Sequence, residues 1–193
     1  WDKVGDKNGI YLRDNIIAER TVARYLTESM SSGKSLTFSP AAVSQALADY
    51  EVDSGFILDD EQRTAVCTAI LEPVSIITGG PGTGKTQSLN AIREVIGYLY
   101  PDATIAGCAP TGKAAVRMKE TSALAASTIH KLLHITPDND WVEQEVLEYD
   151  YVIVDETTMV DTRLMSKLLY ALAPSVRLIL VGDVDQLPQR RPR

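Results

Sequence analysis

The strongest chemical signature in the chain lies at Gly79-Gly80-Pro81-Gly82-Thr83-Gly84-Lys85-Thr86, between an apolar run and a helical pattern. Glycines at this spacing let backbone N–H groups turn inward on an anion. Lys85 brings a positive charge to the β- and γ-phosphates of a nucleotide, and the Thr86 hydroxyl is a ligand for magnesium. A strand before and a helix after are the context this phosphate-loop pattern needs, so ATP with Mg2+ is the expected ligand. Outside that context the segment would be a glycine-rich turn with a chance lysine.

Asp155 and Glu156 follow the apolar run Tyr151 to Val154, and ligands of open α/β sheets collect at the carboxyl ends of such strands. Asp155 would hold the magnesium. Glu156 would orient and deprotonate an attacking water, as hydrolysis requires and transfer to an organic acceptor does not. Standing alone, an Asp-Glu pair at a strand end is more often a helix cap; the phosphate loop reverses that reading. Gln186, in Gly182-Asp183-Val184-Asp185-Gln186, would touch the γ-phosphate and report its presence, although the same residues by themselves read as a polar turn. Gln62, on a helix ahead of the loop, carries an amide whose donor and acceptor match the adenine edge.

A second anion site is expected where Ala109-Pro110-Thr111-Gly112-Lys113-Ala114-Ala115 leaves a strand and begins a helix capped by Thr111. The first loop already takes the nucleotide, so Lys113 could face a nucleic-acid phosphate; a capped helix with a solvated lysine is the alternative. In Thr128-Ile129-His130-Lys131-Leu132-Leu133-His134 the spacing puts both histidines on one helical face. A zinc site would need further ligands, and neither a third one nor an HExxH glutamate accompanies the pair. A polar helix end near a second phosphate is the better reading, with an ordinary exposed face as the alternative.

These groups need a scaffold. Short apolar runs at Val74 to Ile77, Thr104 to Ala109, Tyr151 to Val154 and Val176 to Val181 read as buried strands. Lys85 to Tyr100, Lys113 to Lys119 with Thr128 to Leu133, and Met159 to Ala173 alternate with them as crossover helices. Such alternation predicts an α/β fold, a mainly parallel sheet with helices on both faces. Ahead of it, helices are expected over Asn15 to Met30, from Ser39 as N-cap with Pro40 toward Tyr50, and from about Asp59 to Ile70. The acidic stretch Thr136 to Glu148 reads as a surface excursion.

With 193 residues there is room for one well-packed domain plus extra helical material. No apolar run approaches the roughly 20 residues that cross a bilayer, and the start, Trp1-Asp2-Lys3, has no signal-peptide character, so a cytoplasmic fragment of a longer protein is expected. Cys67 and Cys108 stand far apart and read as buried free thiols. A net charge of -7 argues against broad adhesion to nucleic acid but leaves room for a narrow basic track.

In this order, Leu58-Asp59-Asp60-Glu61-Gln62, the loop Gly79 to Thr86, APTGKAA from Ala109, Thr128-Ile129-His130-Lys131, Asp155-Glu156-Thr157-Thr158-Met159-Val160-Asp161 and Gly182 to Pro188 resemble a superfamily 1 DNA helicase of the RecD type, which moves 5′ to 3′ on single-stranded DNA. That resemblance implies a RecA-like P-loop NTPase fold over residues 56–193, preceded by a small helical segment, 1–55, that ends an N-terminal region. It assigns adenine to Gln62, a DNA phosphate to Thr111 and Lys113, the path of the strand to Thr128, His130 and Lys131, and coupling to domain movement to Gln186. It further implies single-stranded DNA, a second RecA-like domain and the other subunits of a nuclease-helicase complex as partners, with roles in recombination and repair. The tail Gln189-Arg190-Arg191-Pro192-Arg193 departs from the glycine-containing loop usual there. Since the second domain supplies arginines worth about 10³ to 10⁵ in rate, the chain alone is expected to bind Mg-ATP, hydrolyse it feebly and unwind nothing. The competing readings are a P-loop switch or assembly protein that does not act on DNA, and a small-molecule kinase, for which neither an acceptor pocket nor an arginine-rich lid is evident.

Overall fold

The computed structural model describes residues 2–4, 7–9, 12–31, 38–136 and 146–183. In chain order these form β1 (Asp2–Val4), β2 (Lys7–Gly9), α1 (Arg13–Ser31), α2 (Pro40–Ser54), α3 (Asp60–Leu71), β3 (Val74–Thr78), α4 (Lys85–Leu99), β4 (Ile105–Ala109), α5 (Gly112–Ser122), β5 (Ala126–Thr128), α6 (Ile129–Leu132), β6 (Tyr151–Val154), α7 (Thr162–Ala171) and β7 (Arg177–Gly182). A 3₁₀ turn, Thr157–Met159, lies between β6 and α7.

The unbroken apolar run of β6 exists because neither of its faces meets water. Tyr151 and Ile153 enter one cluster with residues of α2, α3, α4 and β7, among them Leu47, Val66, Ile92 and Ile179. Val152 and Val154 enter the opposite cluster with Tyr25 of α1, Ile129 of α6 and Leu168 of α7. Five strands pair in the order β3-β7-β6-β4-β5, and each adjacent pair is parallel. The expected α/β architecture with helices on both faces is therefore present.

Local chemistry sets most boundaries. Ser39 caps α2 by accepting from the Ala42 N–H at 3.1 Å, with Pro40 in the first turn. Gly55, at φ 67°, ends that helix in the left-handed conformation glycine adopts without strain. Asp59 caps α3 with a full capping box, its carboxylate accepting from the Gln62 N–H at 2.8 Å while the Gln62 amide oxygen accepts from the Asp59 N–H at 3.1 Å.

Three features differ from the sequence expectations. Among the described residues before α1, Asp2–Val4 and Lys7–Gly9 are strands rather than helix: β1 and β2 pair antiparallel, Asp2 opposite Gly9, because the three- and four-residue apolar spacing begins only within α1. The helix expected from Met159 starts at Thr162, since Asp161 accepts from the Leu164 N–H at 2.8 Å and caps it there. β5 was not anticipated; its three residues are half-buried and carry no alternation to announce a strand. α1 and α2 pack onto the sheet's two cores: Tyr25 of α1 is 4% exposed within the α7 cluster, and Val43 and Leu47 of α2 lie in the cluster that includes Ile77 of β3.

Candidate nucleotide site and the adjoining rim

Because the strands are parallel, their carboxyl ends form one rim. The strand order spreads the candidate groups along it: the phosphate loop after β3, Asp183 after β7, Asp155 and Glu156 after β6, Thr111 after β4 and Thr128 at the end of β5. One strand separates β3 from β6, so at about 4.8 Å per strand the acidic pair stands roughly 10 Å along the rim from the phosphate loop. That is the reach of a polyphosphate with its cation.

The loop itself is tightly folded. Lys85 turns back so that its ammonium donates to the Gly79 carbonyl and, at 2.9 Å, to that of Gly80. The Thr83 hydroxyl donates to the same Gly80 oxygen at 2.9 Å, and a side chain at Gly79 would press its Cβ to 2.5 Å from that hydroxyl. Gly82 and Gly84 hold positive φ, 80° and 79°, and Gly84 is the N-cap of α4 with no side chain to satisfy the first turn. Bare N–H groups at a helix start, a neighbouring ammonium and a cradle that a Cβ would fill fit a phosphate chain. Thr86, half-buried in the first turn, and Asp155, half-buried across the rim, supply the oxygen donors a hard divalent cation takes. Pro81, between the two glycine pairs, is exposed.

Gln62 reaches this loop from α3. Its Nε2 donates to the Thr83 carbonyl at 3.4 Å, and a Cβ on Gly84 would lie 2.1 Å from that nitrogen. The amide thus sits against the loop's last glycine, with part of its bonding capacity already used by Asp59 and Thr83.

Asp155 is held by two bonds: its N–H donates to the Cys108 carbonyl at 2.9 Å, and its carboxylate accepts from the Glu156 N–H at 2.8 Å. Glu156 adopts φ 51°, ψ 41°, a left-handed conformation uncommon for a residue with a side chain. The turn is kept by Thr157, whose hydroxyl donates to the Val154 carbonyl at 3.0 Å. Beside it Gly182 approaches closely, since a Cβ there would stand 3.3 Å from Thr158 Cγ2. Sequence reasoning passed over two features here: the strained Glu156 backbone, which no propensity announces, and Asp183, a carboxylate 3% exposed at the tip of β7. A charged residue directly after an apolar strand was the available signal for Asp183. Gln186 lies outside the described residues, as does the tail beyond Asp183.

At the other end of the rim, β5 has a consequence the sequence did not reveal. It pairs Ala109 with Thr128, which sets the Thr111 and Thr128 segments side by side. Thr111 accepts from the Ala114 N–H at 3.2 Å and Thr128 from the Lys131 N–H at 3.1 Å, each capping its helix. Lys113, His130 and Lys131 are exposed. The two histidines do not share a helical face, as the spacing had implied: α6 ends at Leu132, and His134 follows in a left-handed conformation, φ 53°. Among the described residues no cluster of three or more His, Cys, Asp or Glu is placed to hold a metal ion.

A parallel sheet between helical layers, with a phosphate loop on its rim, defines an α/β P-loop NTPase. A family profile described as an AAA domain matches residues 62–192, and the chain belongs to that family. Over 88% of this chain and 30% of the relative, it is 37% identical to the RecBCD enzyme subunit RecD of Haemophilus influenzae. It is 40% identical to the ATP-dependent RecD2 DNA helicase of Deinococcus radiodurans over 68% of this chain and 18% of that one. The chain thus spans less than a third of the length of these curated relatives. The fold is also that of the Pif1 helicase from Bacteroides solved in complex with ADP-AlF3 and single-stranded DNA, with a TM-score of 0.51 and 25% identity over 72% of this chain and 35% of that one. The RecD-type resemblance carried by the motifs is accordingly met both in sequence and in fold.

Proposed function

We propose that this chain is the first RecA-like motor domain of an ATP-dependent DNA helicase, with residues 1–55 ending an N-terminal region and 56–193 forming the motor. The observation that carries the reading is the order of groups along one rim: a phosphate cradle at β3, an acidic pair at β6, and two threonine-capped turns bearing exposed cations at β4 and β5. A single rigid sheet therefore connects a triphosphate site to a surface that can grip a second phosphate chain.

In this mechanism the loop from Gly79 to Gly84 wraps the phosphates, and Lys85 exchanges the carbonyls of Gly79 and Gly80 for the β- and γ-phosphate oxygens. Magnesium, held by Thr86 and Asp155, would neutralise charge on those oxygens when bound. Glu156 takes the proton of the attacking water. Gln62 reads the adenine edge, and Gln186 contacts the γ-phosphate and passes its loss to domain movement. Thr111, Lys113, Thr128, His130 and Lys131 track a single strand of DNA, with movement 5′ to 3′. A second RecA-like domain completes the site with arginines, and the parent acts in recombination and repair, with the other subunits of a nuclease-helicase complex as partners. Among the described residues no helix is long and apolar enough to cross a membrane; the working place proposed is the cytoplasm.

Equilibrium binding tests the reading. Mg-ATP should bind the chain and be lost on Lys85→Ala, while a single-stranded oligonucleotide should bind and weaken on Lys113→Ala. ATP binding without any oligonucleotide binding would favour a P-loop switch that does not act on DNA.

A further inference from the structure

We infer that Glu51 and Arg63 are positioning residues that lock the orientation of the Gln62 amide and thereby make the site prefer adenine over guanine. The inference rests on the proposed adenine role of Gln62 and assigns the origin of its selectivity.

A carboxamide can present its oxygen and nitrogen in either order, and the two orders recognise different partners. In Gln62 that freedom is removed. Oε1 accepts from the Asp59 N–H at 3.1 Å, and Nε2 donates to the Thr83 carbonyl at 3.4 Å. A backbone N–H can only donate and a carbonyl can only accept, so turning the amide over would set donor against donor and acceptor against acceptor. The lone pair left on Oε1 and the hydrogen left on Nε2 are therefore offered to a base in one order. Adenine presents an amino donor beside the N7 acceptor and matches both; guanine presents the O6 acceptor beside N7 and leaves the Gln62 oxygen facing another oxygen.

The lock depends on where the Asp59 N–H points, and that is set from outside α3. The peptide groups flanking Leu58 are gripped on both sides: its N–H donates to Glu51 Oε1 at 2.9 Å, and its carbonyl, bonded directly to the Asp59 nitrogen, accepts from Arg63 Nε at 3.2 Å. Glu51 and Arg63 close the ring, with Arg63 Nη2 2.5 Å from Glu51 Oε2. Below it the Leu58 side chain is anchored in the core, 2% exposed. The Glu51 side chain is 10% exposed and that of Arg63 40%, so solvent screens the ion pair and its main effect is geometric. The ring spans the end of α2, the link after Gly55 and the first turn of α3. It fixes the carbonyl whose peptide carries the Asp59 N–H, and through that N–H the Gln62 amide.

The test compares equilibrium binding of Mg-ATP, Mg-GTP and Mg-tripolyphosphate to the 193-residue chain and to three variants, with thermal melts alongside. Glu51→Ala should weaken ATP by about tenfold, the upper order of one neutral amide–base hydrogen bond, and leave GTP and tripolyphosphate unchanged. Arg63→Lys keeps the charge but removes the donor to Leu58; it should shift ATP in the same direction and carries the test if Glu51→Ala does not fold. An equal loss for all three ligands, or an unaltered ATP-over-GTP ratio in both variants, overturns the inference. Gln62→Ala separates the two levels. If it abolishes the preference while the other variants keep it, only the positioning role falls; if it leaves the preference intact, the adenine reading of Gln62 falls as well.

Discussion

Glu156 combines two features seldom found together: a carboxylate at the end of a buried strand and a left-handed backbone, φ 51°. Strain of this kind persists where the surroundings over-determine it, here through Thr157 bonding back to Val154 and Gly182 closing in on Thr158. If Glu156 is the base, Glu156→Gln should keep Mg-ATP affinity while single-turnover hydrolysis falls by about 10² to 10⁴; unchanged hydrolysis would remove it from that role. Gly84→Ala should be harsher than its size implies. A left-handed φ costs an L-residue about 1–2 kcal/mol, and the new methyl would displace Gln62, so denaturant melts should show a loss of that order together with weakened ATP binding. Cys108, wholly buried, has its thiol pushed up to about 12 by desolvation. The unfolded thiol ionises near 9, so stability held below that pH should decline as pH rises through it, and a thiol reagent should reach Cys108 only at the rate of unfolding. The phosphate loop and the Asp155-Glu156 pair were legible because their residues are contiguous and of diagnostic types. The ring of Glu51, Leu58 and Arg63 was not, because its members become neighbours only after Gly55 turns the chain.

Among the elements, the three inner strands, β4, β6 and β7, could be read from their largely apolar runs, a pattern that burial on both faces requires; β3, expected to be buried, is instead an edge strand that alternates, with Ile76 69% exposed between buried Ser75 and Ile77. β5 could not be read: Ala126-Ser127-Thr128 is short and half-buried, and Thr128 serves at once as its last residue and as the N-cap of α6. Met159, the last residue of the turn Thr157–Met159, reads in the sequence as the start of α7 because it continues the apolar spacing, whereas the cap at Asp161 decides the boundary. α1 was read correctly as a helix, and it packs against α7 in one of the sheet's two cores. Tyr25, 4% exposed, is its anchor among Leu168, Leu169 and Leu172. Tyr25→Ala should therefore cost about 3–5 kcal/mol in chemical denaturation. Tyr25→Phe should cost about 1–2 kcal/mol, because it removes the hydroxyl's bonds to the Ala173 carbonyl at 3.4 Å and to the buried Ser29 side chain. A small effect of the alanine variant would mean that α1 is held elsewhere.

For the whole molecule, a net charge of -7 means that any DNA affinity must come from a local track rather than the general field. Each phosphate neutralised on single-stranded DNA contributes about -0.7 to the slope of log affinity against log salt. Lys113→Ala should therefore make that slope shallower by about 0.7; an identical slope would remove Lys113 from the contact. The strand order has one more consequence, in time rather than space. Among the described residues β3, the first strand of the sheet to be synthesised, is paired only with β7, the last, Val74 to Thr78 lying against Leu178 to Gly182. A nascent chain emerging from the ribosome carries its nucleotide loop on a strand without a hydrogen-bonding neighbour until about a hundred further residues have been made. Competence to capture ATP should appear abruptly, as β7 slides between β3 and β6, and not by degrees.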